Sequence, residues 1–82
     1  MIKAGKSKLL TLVGSNIREQ RKAQGLTQQQ LAYESGLELS QVNRIELGKI
    51  NTSVLQIAKI CKVLDINPDK IFNFNIDEVE IE

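Results

Sequence analysis

The sequence contains no histidine and no tryptophan, a single cysteine and a single proline. Without histidine, the common zinc sites and the Ser-His and Cys-His nucleophile pairs cannot be assembled. A carboxylate pair stays conceivable, but Glu19, Glu34, Glu38, Glu46, Asp65 and Asp69 show no spacing that would bring two of them together in a cleft. No glycine-rich phosphate loop is present. A chain of 82 residues also leaves little room for a substrate pocket of roughly 300 Å³ or more. These absences point away from an enzyme and from any metal or cofactor. The lone Cys61 excludes an intrachain disulfide and fits a reducing cytoplasm. No apolar run approaches the roughly 20 residues of a membrane helix, and the stretch from Met1 to Lys8 is polar, unlike a secretory signal. The expectation is a soluble, cytoplasmic protein with no membrane partner.

What remains is ordinary globular material, 41% hydrophobic and 26% charged, enough for one domain. A domain this small buries only about 60 to 65% of its unfolded surface, which favours tight helical packing or a dimer. The formal net charge of +1 hides an asymmetry. All eleven lysines and arginines lie at or before Lys70, whereas Asp77, Glu78, Glu80 and Glu82 close the chain. A basic body suits a nucleic-acid partner, although solvated charged faces look the same.

With its only proline at Pro68, most of the chain is free to be helical. Leu9, Leu10, Val13, Ile17 and Arg21 recur at intervals of three and four, marking one helix face. Gly25 ends that helix, and Gly14 within it marks either close packing or a break. Thr27, with Gln30 three residues on, caps a short helix over 28–35 that Gly36 stops. A third helix begins at Glu38 or Leu39, turns Val42, Ile45 and possible core residue Leu47 inward, and closes at Gly48. Two short helices around a glycine-containing turn have the proportions of a helix-turn-helix. A fourth helix starts at Thr52 or Ser53 with Val54, Ile57, Ile60, Cys61 and Leu64 on one face. Asn67-Pro68 opens a short fifth helix carrying Ile71 and Phe72. The chain thus divides into a basic N-terminal arm (1–8), an all-α helix-turn-helix domain (9–73) and an acidic tail (74–82). The tail is a strand, a dimer arm or a frayed end.

The run Gly25-Leu26-Thr27-Gln28-Gln29-Gln30-Leu31-Ala32, then Gly36, then Val42-Asn43-Arg44-Ile45-Glu46-Leu47-Gly48-Lys49 resembles the Xre-type, lambda-repressor-like helix-turn-helix family. The resemblance extends from about Leu9 to Phe72. It implies an all-α bundle of five helices whose third helix enters the major groove of double-stranded DNA. The positions it assigns to base reading are Glu38, Leu39, Ser40, Asn43 and Arg44, a stripe opposite Val42 and Ile45. Arg44 would grip guanine O6 and N7 or else a phosphate, and Ser40 a base or a phosphate. Leu39 would pack on a thymine methyl, or else sit as a surface or turn-core leucine. Glu38 departs from the serine or threonine more usual there; it would accept from cytosine N4 or simply favour the positive helix end.

The same resemblance makes Gln28 a phosphate anchor at a helix N-terminus, with Gln29 as its alternate, and puts Lys49 and Asn51 on the opposite DNA backbone. It pairs Arg21 with Glu46 as scaffold and leaves Tyr33 on the surface. Cys61 is expected to be a buried small hydrophobe rather than a redox sensor. The implied protein is a single-domain transcriptional regulator, a repressor acting as a homodimer on a palindromic operator. Helices four and five, with Ile71, Phe72 and Phe74, would form the interface, with the tail as an addition. A protein-interaction module of antitoxin type, with little DNA specificity, is the rival reading.

Overall fold

Sixteen residues, Lys8–Ala23, form helix α1; in the computed structural model, which describes residues 8–79, it is the strut against which the rest is built. Val13, Ile17 and Arg21, four residues apart, are its buried face. Gly14 does not break the helix but lies where α1 crosses the third helix, α3 (Leu39–Glu46). A Cβ there would run into the Ile45 carbonyl oxygen and stand 2.6 Å from that of Glu46. Gly48, just beyond α3, meets α1 in the same way, since a Cβ on it would lie 2.7 Å from Thr11 Cα. Backbone atoms cannot swing aside as side chains can. Gly14→Ala is therefore expected to destabilise the fold by about 3 kcal/mol, seen as a lower urea midpoint at unchanged m-value. A loss below about 0.5 kcal/mol, within the range of ordinary surface changes, would show that the two helices part freely.

The second helix, α2 (Gln28–Ser35), is capped by Thr27 and ends at Gly36, whose φ of 73° is left-handed. The Leu37 N–H reaches back to the Ala32 carbonyl at 2.9 Å and closes the turn. The fourth helix, α4 (Val54–Leu64), is capped by Ser53, whose Oγ accepts from the Gln56 N–H at 3.1 Å. It stops at Asp65, the one non-glycine residue with positive φ among the described residues, at 54°. Asp65 is exposed, and glycine adopts that geometry without a Cβ penalty. Asp65→Gly is expected to raise the melting temperature, stabilising the domain by about 0.5 to 1 kcal/mol. A lower melting temperature would mean that the carboxylate holds the turn.

Ile17, Leu31, Val42, Ile60, Leu64 and Ile71 are the fully buried side chains, joined by Val13, Ala32, Ile45, Ile57 and Cys61 in one core. Burial pushes the Cys61 thiol above its ordinary pKa, as a small hydrophobe's surroundings should. Leu47 stays out of this core, 40% exposed. Helix α1 packs on α3, and α2 packs on both α3 and α4. No helix of the described residues is long and apolar enough to cross a membrane.

Two expectations need correction. The fifth helix is only a 3-10 turn, Pro68–Lys70, although Ile71 after it is fully buried. The Ile71 carbonyl, which a continuing helix would need, accepts from Asn16 Nδ2 at 2.7 Å. The architecture is thus four α-helices followed by turns. Residues 74–79 are neither a strand nor a frayed end: they form a second 3-10 turn over Ile76–Glu78 with Asn75 as its cap. Phe74 packs on the core and Val79 is buried. Of the basic arm, Lys8 already opens α1; residues 1–7, and 80–82 of the tail, lie outside the described residues.

Candidate nucleic-acid interface

The candidate interface is built on α2, its turn and α3. At the start of α2, Thr27 and Gln30 exchange hydrogen bonds: the Thr27 Oγ1 accepts from the Gln30 N–H at 3.0 Å, and the Thr27 N–H donates to Gln30 Oε1 at 2.8 Å. This capping box satisfies two of the helix's orphan donors. Among the described residues, the Gln28 and Gln29 N–H groups have no hydrogen-bond partner at the positive helix end, an arrangement suited to an anion. Gln29 is exposed and Gln28 half-buried.

Along α3 the apolar spacing separates two faces. Val42, Ile45 and Glu46 are buried, whereas Glu38, Leu39, Ser40, Asn43 and Arg44 are all exposed. Leu39, at 48% exposure, belongs to the solvent face and not to the core. The Glu38 N–H donates to Gln41 Oε1 at 3.0 Å, the half of a capping box that the third helical residue supplies. Gln28, from the neighbouring helix, borders the same hollow as Glu38, Leu39, Ser40 and Asn43. The Arg44 side chain makes no hydrogen bond or ion pair among the described residues and is open to a ligand. Lys49 is exposed just past α3, where its N–H holds the Arg44 carbonyl at 2.9 Å. Asn51, also exposed, lies further off, at the rim of an apolar hollow lined by Leu9, Leu10, Val54 and Phe72.

Beneath this face runs a connected set of polar bonds. Arg21 grips Glu46 with two, Nε to Oε2 at 2.6 Å and Nη2 to Oε1 at 3.0 Å, and its Nη1 donates to the Leu26 carbonyl at 2.7 Å. The side chains of Arg21 and Glu46 are only 9% and 2% exposed. Gln28 Nε2 also donates to Glu46 Oε1, at 3.0 Å, and Gln28 Oε1 accepts from Asn43 Nδ2 at 3.3 Å. The pair read from the sequence as scaffold, with Arg21 also near the phosphate side, is thus bonded through Gln28 to the exposed Asn43 on α3. The three-residue step from Asn43 to Glu46, one above the other on a helix, was the available signal. Arg18 escaped notice as well. It is exposed and lines a cleft with Gln28, Asn43 and Glu46, one turn before Arg21.

The helix-turn-helix family model matches residues 17–71. Among solved structures, the restriction-modification controller protein C.AhdI from Aeromonas hydrophila is 43% identical, with a TM-score of 0.75 over 77% of this chain and 96% of that one. The restriction-modification controller protein C.Esp1396I is 32% identical, with a TM-score of 0.76 over 89% of this chain and 95% of that one. SinR, described as the master regulator for biofilm formation and solved in complex with DNA, is 28% identical, with a TM-score of 0.69 over 73% of this chain and 97% of that one. No curated protein sequence matches the chain.

Proposed function

This chain belongs to the helix-turn-helix family, and we propose that it is a transcription regulator that binds specific double-stranded DNA sites. One observation carries the reading: the outer face of α3 presents five exposed side chains beside an α2 N-terminus with open N–H groups. Glu38, Leu39, Ser40, Asn43 and Arg44 then face base edges in the major groove. Gln28 and Gln29 hold a phosphate through their main-chain N–H groups, with Lys49, Asn51 and Arg18 as further backbone contacts. The Gln28 amide is already bonded at both ends, so its main chain is the better anchor. Supporting this reading, two restriction-modification controllers and SinR share the fold.

The regulator acts in the cytoplasm as a homodimer on a twofold-symmetric operator, because one eight-residue helix contacts too few bases to pick out a genomic site. The interface is the apolar face of α4 and the turns after it. There Val54, Leu55, Phe72 and Ile76 stand 87%, 65%, 48% and 56% exposed, and a second copy would cover them. Half-sites then lie about 34 Å apart, one turn of the duplex. Selection of bound duplexes from a random pool tests both claims, since a symmetric motif reports dimer and specificity together. Arg44→Ala is expected to relax discrimination at one base position by about 1 to 3 kcal/mol, while Lys49→Ala weakens all duplexes alike. A uniform loss from both variants would make Arg44 a backbone contact, and a pool that yields no motif would sink the reading.

A further inference from the structure

We propose that Asn43 reads adenine, and that the buried Glu46 carboxylate, acting through Gln28, holds it in the orientation this requires. The inference rests on the DNA-binding reading above and deepens it. A carboxylate offers only acceptors. That of Glu46, almost wholly enclosed, takes donors from Arg21 and from Gln28 Nε2 at 3.0 Å. The Gln28 amide must therefore turn its NH₂ inward and its oxygen outward. That oxygen can only accept, so Asn43 must turn its own NH₂ toward it, and the two atoms meet at 3.3 Å. Flipping either amide would set acceptor against acceptor or donor against donor, so each link fixes the next.

Once one Asn43 N–H is committed to Gln28, the side chain has Oδ1 and a second N–H left to present. An acceptor and a donor side by side match the N6 amino group and N7 of adenine in the major groove. Guanine shows two acceptors there, thymine one acceptor and cytosine one donor, so none of them uses both groups of Asn43. Asn43 is exposed on the face of α3 that also carries Ser40 and Arg44, and it borders the hollow between α3 and Gln28. Holding the amide in place before DNA arrives removes much of the cost of ordering it on binding. Glu46 is thus a positioning residue, two hydrogen bonds removed from Asn43.

The test takes the full chain and two variants, Asn43→Ala and Gln28→Met, each confirmed to be folded by its melting curve. Neither replaced side chain belongs to the buried core, and Glu46 itself is left intact because it holds Arg21. Duplexes are selected with the wild type, and binding is then measured on sites that differ at a single base pair. The wild type is expected to select an adenine at one position of each half-site, preferred about tenfold over the other bases. Asn43→Ala should abolish that preference while leaving the other positions unchanged. Gln28→Met should lower the same preference ratio, from which any general loss of phosphate contact cancels. An unchanged adenine preference in Asn43→Ala, or a uniform loss across all duplexes, would overturn the base assignment. Retention of the preference in Gln28→Met would overturn the relay. If the wild type selects no motif, the DNA-binding reading itself fails, a result distinct from selecting a motif that ignores Asn43.

Discussion

Glu46→Ala is expected to destabilise the domain by about 3 to 5 kcal/mol, the cost of leaving a buried charge without its partner. The Arg21 side chain, 9% exposed, would keep only the Leu26 carbonyl as an acceptor. For a domain of this size each kcal/mol moves the melting temperature by about 4 to 8 °C. The loss is thus large against a total stability of about 5 to 15 kcal/mol. Arg21→Ala should cost a similar amount, because the carboxylate would then keep only Gln28 Nε2. The double replacement Arg21→Met with Glu46→Leu removes both charges together and should recover most of the stability, as apolar substitutes of similar volume often do. Thermal melts of the three variants check the claim. Single variants within about 1 kcal/mol of the wild type would place the pair in the range of exposed surface bridges. The recovered double variant would also uncouple stability from the polar connection to Gln28 and Asn43, which only the carboxylate provides.

The parts legible in the sequence are those specified by near neighbours. Thr27 and Gln30 are three residues apart, and the cap they form sets the start of α2 at Gln28, as read. Gly36 ends that helix, and the spacing of Val42 and Ile45 assigns the outer stripe of α3 that the structure leaves exposed. The parts that were not legible depend on distant partners. The fifth helix stops short because Asn16, 55 residues away, takes the Ile71 carbonyl. The alternating charged and apolar residues of the tail suggested a strand or a loose end, yet Phe74 reaches the core and Val79 is buried. At the candidate site, exposure could be read from periodicity, but the bond between Gln28 and Glu46 joins residues 18 positions apart on different helices. Arg18 shows the same limit. One more charge on a polar helix face carries no signal until packing sets it beside Gln28 and Asn43.

Affinity for the selected operator should fall about 10² to 10³-fold when salt rises from about 50 to about 200 mM, which corresponds to a dimer neutralising about four to six phosphates. The estimate follows from the cations that flank the interface. Arg18 and Lys49 are exposed close to it in each protomer, and Arg44 adds to them if it grips backbone rather than base. The open N–H groups of Gln28 and Gln29 hold phosphate without displacing a counterion in the manner of a cation, so they contribute affinity with little slope. The net charge of only +1, with Asp77 and Glu78 near the end of the described chain, keeps non-specific attraction weak. Specific complexes should therefore stand out at moderate salt. Titrations over a series of salt concentrations give the slope, and Lys49→Ala should make it shallower by about 1 per protomer on a plot of log K against log salt. A slope near zero with weak binding to every duplex would leave the fold to a protein-interaction role. A shallow slope with tight, selective binding would instead assign most of the anchoring to the neutral amides at the start of α2.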